Sequence, residues 1–130
     1  MQNIVYPSTD ELIETNRRVL KQIRARKGDQ VKLLSRKVLQ DCLERTKGEK
    51  GDVYDKAAIL LIKLVRGHAF ASGVRRTAYT ATISFLRMNG ENPNVFHDSK
   101  VLTGVRERFY TVEEVKSWLK GNAIRSFKRE

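Results

Sequence analysis

The sequence predicts an all-α fold with about six helices around a buried central helix. Two capping-box patterns, Ser8 with Glu11 and Thr111 with Glu114, mark the starts of helices. The stretch from 57 to 65 is apolar apart from Lys63, which is typical of a helix that is buried on nearly all sides. No internal repeat and no convincing pair of strands interrupts this pattern. We therefore expect one compact domain over residues 1–130.

Two helices are predicted before the central one. After Ser8, apolar residues recur at helical spacing until Gly28-Asp29 breaks the pattern. A second helix is predicted over 31–45, where Leu34, Val38 and Cys42 share a face. The glycine-rich, charged segment 46–55 is predicted to be a mobile loop.

Three more helices are predicted after Gly67, which ends the central one. The first runs from about Val74 to Asn89, where Asn89-Gly90 gives a stop signal. Its inward face is formed by Ala78, Ala81, Thr82, Phe85 and Leu86. After a loop around 95–99, a short helix reaches about Arg108, and the last helix turns Val115, Trp118 and Leu119 inward before a basic tail.

Composition limits the compartment and the class of partner. Cys42 is the only cysteine and cannot form an internal disulfide, which favours a reducing cytoplasm. The sequence has no apolar run of the length that spans a bilayer and no signal-peptide pattern, so we expect a cytoplasmic protein with no membrane partner. The net charge of +11 suits either a solvated basic surface or a polyanionic partner.

Nucleic acid is one such partner. A basic stripe on the first helix (Arg17, Lys21, Arg24) and the basic tail (Lys120, Arg125, Lys128, Arg129) are candidate phosphate contacts. Neither comes with a helix-turn-helix or zinc-finger pattern. We therefore expect at most weak, non-specific binding of nucleic acid.

The stretch from Arg66 to Ala78, RGHAFASGVRRTA, carries the chemistry. It contains a Gly-His turn, an aromatic residue two positions on, another glycine, and paired arginines at a helix start. This order places a base beside an anion site, as phosphate chemistry requires.

The same stretch resembles the signature loop of the Fic/Doc family, whose pattern is His-x-Phe-x-(Asp/Glu)-(Ala/Gly)-Asn-(Gly/Lys)-Arg. In this chain the pattern begins at His68 and ends at Arg76. The similarity is greatest to the Doc branch, the death-on-curing toxins. There it extends to Arg66-Gly67 before the loop and to Phe85-Leu86-Arg87 with Asn89-Gly90 after it.

The resemblance implies an all-helical fold whose loop binds a nucleotide. It also implies transfer of AMP, or of a phosphoryl group in the Doc branch, from ATP to a hydroxyl group of a target protein. His68 would be the general base on that hydroxyl, and Phe70 would anchor the loop in the core. ATP and Mg²⁺ are the implied cofactors, and restraint in Doc-type modules implies a separate antitoxin, for which the basic surface suits an acidic partner.

The same resemblance assigns the phosphate-binding residues. Gly73 would let the backbone approach a phosphate, and the amides from Val74 onward would form an anion hole. Arg75 stands where the Doc branch carries lysine. Arg76 would neutralise phosphate charge in the transition state and so be catalytic.

Two positions depart from the family pattern. Ser72 replaces the acidic residue and is a weak candidate for holding Mg²⁺, with Asp52 or Asp55 as a candidate carboxylate helper. Val74 replaces the asparagine and offers no side-chain hydrogen bond. Two alternatives follow. Either the site is active with altered metal or nucleotide use, or the protein is a catalytically silent relative that binds nucleotide, nucleic acid or a partner protein.

Other residues with reactive side chains are interpreted as structural. His97-Asp98 has no further ligand at metal-binding spacing and is interpreted as a loop dipeptide. Cys42 and Trp118 are predicted to pack in the core.

Overall fold

The computed structural model describes residues 3–23 and 32–128. Within these ranges the chain forms α1 (Thr9–Gln22), α2 (Arg36–Gly48), α3 (Val53–Gly67), α4 (Val74–Met88), α5 (Ser99–Arg106) and α6 (Val112–Leu119). The described residues form no sheet, and an isolated bridge pairs Leu33 with Phe70. The prediction of an all-α fold with about six helices is confirmed.

The central helix is α3. Ten of its 15 residues are buried, and it contacts α2, α4, α5 and α6. Lys56 is the polar residue among the buried ones. Its burial is tolerated because its Nζ donates hydrogen bonds to the backbone oxygens of Lys47 and Glu49 at the end of α2. The predicted apolar stretch is therefore the core helix of the fold.

The remaining helices bury the faces that their spacing predicts. The inward residues predicted for α4 are all buried, as are Val115, Trp118 and Leu119 of α6. Both predicted capping boxes are present. The Ser8 hydroxyl accepts the Glu11 amide and the Glu11 carboxylate accepts the Ser8 amide. Thr111 and Glu114 form the same pair of hydrogen bonds. Cys42 is buried as predicted, and burial raises the pKa of its thiol to about 11.

The predicted second helix is wrong at both ends. The Ser35 hydroxyl accepts the Val38 amide and caps the helix, which therefore begins at Arg36 and continues to Gly48. Leu34 lies before the helix and is exposed, because the backbone beside it pairs with the loop after α3. The predicted start at Val31 and the predicted stop at Gly28-Asp29 lie outside the described residues.

The mobile loop predicted over 46–55 is also wrong. The Asp52 carboxylate accepts the amides of Tyr54 and Asp55, and the Asp55 carboxylate accepts the Asp52 amide. This capping box starts α3 at Val53, so the link between α2 and α3 is reduced to residues 49–52. The glycine-rich, charged sequence of this segment is typical of a loop, yet it contains the end of α2 and the start of α3.

No helix in the described part of the chain is both long and apolar enough to cross a membrane. The C-terminal segment packs back on the domain: the Tyr110 hydroxyl donates to the Arg125 carbonyl at 3.0 Å, and Phe127 lies against Phe109.

Candidate functional site

The loop between α3 and α4 begins with a tight turn. Gly67 ends α3 where α2 passes closely, because a Cβ there would lie 2.8 Å from Val38 Cγ1. His68 follows in the left-handed conformation, with φ 53° and ψ 43°, and is exposed. Phe70 is 5% exposed, so its ring lies in the core while the imidazole of His68 lies at the surface.

Backbone hydrogen bonds hold the loop against the segment before α2. The Leu34 amide donates to the Ala69 carbonyl at 2.7 Å, and the Ala71 amide donates to the Lys32 carbonyl at 3.0 Å. These bonds lie on either side of the Leu33–Phe70 bridge. The loop therefore has a fixed backbone on this side.

A buried asparagine on α1 holds the other side of the loop. Asn16 is 1% exposed, and its Nδ2 donates to the Ser72 carbonyl at 2.9 Å and to Thr77 Oγ1 at 3.0 Å. One side chain thus links the last part of the loop to the first turn of α4. The sequence interpretation missed this residue, although it is a polar residue on an apolar stripe between Leu12 and Leu20.

The start of α4 requires glycine. Gly73 has a φ of 70°, and a Cβ there would lie 3.1 Å from Leu20 Cδ2. Its carbonyl accepts the Thr77 amide at 2.9 Å, the first hydrogen bond of the helix. Since Gly73 has no side chain to cap the helix, the first-turn amides form an N-terminal end of the kind that binds anions.

One cavity of about 580 Å³ collects the predicted residues. His68, Ser72, Gly73, Val74, Arg75 and Arg76 all line it. Phe70 does not line it and lies in the core. The structure thus brings the imidazole, the paired arginines and the start of α4 around one space.

A second part of the lining comes from residues that the sequence pattern does not indicate as site residues. It includes His97 and Ser99, from the connection between α4 and α5 and the start of α5, and Arg106 at the end of α5. Burial, and then the charge of Arg76, lower the pKa of His97. The interpretation of His97-Asp98 as a loop dipeptide misses this position, because sequence spacing does not show that α5 returns to the loop.

The described residues do not fit a dedicated Mg²⁺ site. The side-chain oxygens on the described lining are hydroxyls, those of Ser72 and Ser99, whereas Mg²⁺ in proteins is normally held by carboxylates and substrate phosphates. In the described part of the chain, no group of three or more His, Cys, Asp and Glu side chains could hold a metal ion. Three arginines on the lining also disfavour a bare divalent cation.

Asp52 and Asp55 are not metal helpers. Both lie at the start of α3, whereas the loop begins at its end, about 20 Å away for a helix of this length. Asp55 instead pairs with Lys116 of α6 at 2.7 Å. That expectation is therefore wrong, because the two carboxylates are engaged in starting α3 and joining it to α6.

The two predicted basic surfaces are partly neutralised. Arg17 pairs with Glu14 at 3.0 Å, and Arg125 pairs with Glu114 at 2.6 Å. Arg24 and Arg129 lie outside the described residues.

No family model matches the chain, but part of it is similar to a known protein. Over 38 residues the chain is 50% identical to Toxin Doc of Mycolicibacterium smegmatis. The matched segment is 29% of this chain and 29% of that protein, so it spans less than a third of either. Over that segment, the chain is similar to a Doc toxin.

Proposed function

We propose that this chain is a Doc-like toxin that transfers a phosphoryl group, or AMP, from ATP to a hydroxyl group of a target protein. The observation that carries the proposal is the convergence of His68, Arg75 and Arg76 on one cavity at the start of α4. The partial identity to Toxin Doc also supports it.

The nucleotide phosphates would lie against the start of α4. Guanidinium groups present planar sets of donors that match phosphate oxygens, and Arg75 and Arg76 bring two of them to the cavity. The first-turn amides add donors with the favourable end of the helix dipole. Mg²⁺ would enter with the nucleotide, held by its phosphate oxygens, because the described lining offers it only hydroxyls.

His68 would act on the acceptor. Its imidazole would take the proton of the target hydroxyl as the oxygen forms a bond to phosphorus. For phosphoryl transfer the bond to the ADP oxygen breaks and ADP leaves; for AMP transfer pyrophosphate leaves. Arg76 would stabilise the charge that builds up on the phosphoryl oxygens, and His68 then releases its proton to solvent.

A second candidate is a silent relative that binds nucleotide, nucleic acid or a partner protein without transfer. The observation that favours it is the composition of the wall, where Val74 and Ser72 supply neither the amide nor the carboxylate of the family pattern. Losing one donor to a transition state commonly lowers the rate about a hundredfold.

Labelled ATP separates these candidates. The purified chain would be incubated with a host extract and ATP labelled in either the γ- or the α-phosphate, which distinguishes phosphoryl from AMP transfer. We expect label on protein with the natural chain, and a loss of at least about a hundredfold in His68→Ala and Arg76→Ala. Arg87→Ala is the matched control, because Arg87 is an exposed arginine about 16 Å further along the same helix.

The double variant Ser72→Asp with Val74→Asn tests the silent alternative. The aspartate adds a carboxylate and the asparagine adds a polar contact at the anion site. Because both act on one transition state, each single change should have little effect, and His68→Ala should cancel any gain. Activity that is absent in the natural chain and appears in the double variant would support the silent relative and reject the transferase.

The partner expected for a Doc-like toxin is an antitoxin. With a net charge of +11, the chain would attract an acidic one electrostatically. If expression of this chain arrests the growth of host cells, as expected of a toxin, co-expression of a small acidic protein encoded beside it should restore growth.

A further inference from the structure

His97 lies in the connection between α4 and α5, outside the loop that resembles the family signature. It is half-buried and lines the same cavity as His68 and Arg76. The cavity therefore has a histidine from each of two separate segments of the chain.

The His97 ring is held in place from α4. It packs edge-on against the ring of Tyr79, with centroids 5.3 Å apart and planes at 89°. The Tyr79 hydroxyl donates to the Val95 carbonyl at 2.8 Å, which ties the connection to the helix two residues before His97. This packing restricts the imidazole before any ligand arrives.

The charges around His97 are mostly positive. Burial lowers the pKa of His97 most, Arg76 and Arg75 lower it further, and Asp98 opposes them. The Asp98 carboxylate also accepts the Lys100 and Val101 amides at the start of α5. His97 also lines a second cavity, of about 600 Å³, on the side of the C-terminal segment. The other titratable or charged residues of the two cavities are His68, Arg106, Lys100, Tyr110, Arg125 and Lys128.

We propose that His97 is an anion-binding residue, which donates a hydrogen bond to the same phosphate-bearing anion that Arg75 and Arg76 bind. The inference rests on the proposed function, because it places that anion in the cavity described above. Two elements then hold the anion: α4 with its arginines, and the connection to α5 with its imidazole.

Binding of the anion should place a proton on His97. With the cavity empty of anion, two arginines and burial favour the neutral imidazole. An anion between them offsets the arginine charge and gains a charge-assisted hydrogen bond from the imidazolium. The proton comes from solvent, so binding should tighten as the pH falls towards 6.

Histidine NMR tests this directly, because the chain has two histidines and each single variant assigns the other. The His97 pKa would be measured with and without sodium pyrophosphate. Sulfate, which stays a dianion between about pH 5 and 8, serves as a probe that does not itself titrate. We expect either anion to raise the His97 pKa by about one unit.

Variants measure the contribution of His97 to affinity. His97→Asn should weaken pyrophosphate binding about tenfold at pH 6 and less at pH 8, as expected for loss of a charge-assisted hydrogen bond. Phe96→Ala is the matched control: it removes a side chain that is 82% exposed from the same connection, and should leave the affinity unchanged.

The outcomes separate this inference from the function on which it rests. Shifts of the Val74 and Arg75 amides with no change in the His97 pKa would overturn the inference alone. If pyrophosphate shifts none of these signals, both the inference and the nucleotide site are refuted. A raised His97 pKa without transfer of label to protein would support the inference and reject the transferase.

Discussion

Replacing Asn16 with alanine should destabilise the protein and loosen the loop that carries the site. The substitution removes the donors to the Ser72 carbonyl and Thr77 Oγ1 from a position that is 1% exposed. A buried acceptor left without its donor costs about 1–3 kcal/mol. The Thr77 hydroxyl can turn to the carbonyl of Gly73 in its own helix, which offsets part of the loss. We expect the free energy of unfolding to fall by about 2–3 kcal/mol.

Urea denaturation followed by circular dichroism would measure this change, and an unchanged slope with urea would show that the two states stay equally compact. Thr15→Ala is the matched control on the same helix. Its hydroxyl donates to the Glu11 carbonyl within α1, so its removal should cost less than about 0.5 kcal/mol. If Asn16→Ala changes stability as little as the control does, Asn16 does not hold the loop.

Asn16→Asp adds a test with a defined pH dependence. At neutral pH the carboxylate would face the Ser72 carbonyl and could donate no hydrogen bond, so the variant should be at least as unstable as Asn16→Ala. Burial would raise the pKa of this aspartate, and its protonated form can donate one bond. The variant should therefore recover stability as the pH falls through that raised pKa. Pyrophosphate affinity, measured under conditions in which each variant is folded, should fall in the same order as stability: highest in the natural chain and lower in Asn16→Ala and Asn16→Asp.

Three further predictions concern glycine, an ion pair and charge. Gly73→Ala should destabilise by about 1 kcal/mol more than Gly90→Ala, because both have positive φ but only at Gly73 would the new Cβ meet Leu20; equal losses by thermal unfolding would contradict this. Lys116 lowers the pKa of Asp55, so the pair's contribution to stability is present above about pH 4 and is lost as the pH falls through the lowered pKa. A Lys116→Met variant should flatten that acid limb of the stability curve. Nucleic-acid binding should be weak, and the logarithm of its affinity should fall linearly with log[salt]. Selective submicromolar binding at physiological salt would contradict this prediction.

Local patterns predicted most of the fold. A capping box is complete within four residues, so the sequence predicts the starts of α1 and α6. A helix that is apolar on nearly all sides must be buried, so the sequence also predicts the position of α3. Helical spacing continues through Leu34, but its amide pairs with a loop about 35 residues further along the chain, which keeps Leu34 out of the helix that begins at Arg36. Such a contact has no signature in a window of ten residues.

The candidate site divides in the same way. Its first wall, from His68 to Arg76, is contiguous in sequence and was predicted as a unit. Its second wall, with His97 and Arg106, depends on α5 returning to the loop, and its support, Asn16, lies 56 residues before Ser72. A polar residue on an otherwise apolar stripe is the one signal for Asn16, and the second wall has no signal in the sequence.

Under the proposed function, transfer needs residues of this cavity beyond those that hold the anion, so binding can persist without transfer. The groups suited to hold an anion are the cations Arg75, Arg76 and Arg106, with the start of α4 and, by our proposal, His97. The rate would depend in addition on His68, on the charge that Arg76 stabilises in the transition state, and on the two positions that depart from the family pattern, Ser72 and Val74. A chain that lost transfer would still keep its affinity for phosphate, because replacing a carboxylate with serine makes the cavity more positive. Affinity for pyrophosphate therefore tests the site, whereas only the labelled-ATP experiment tests the enzyme.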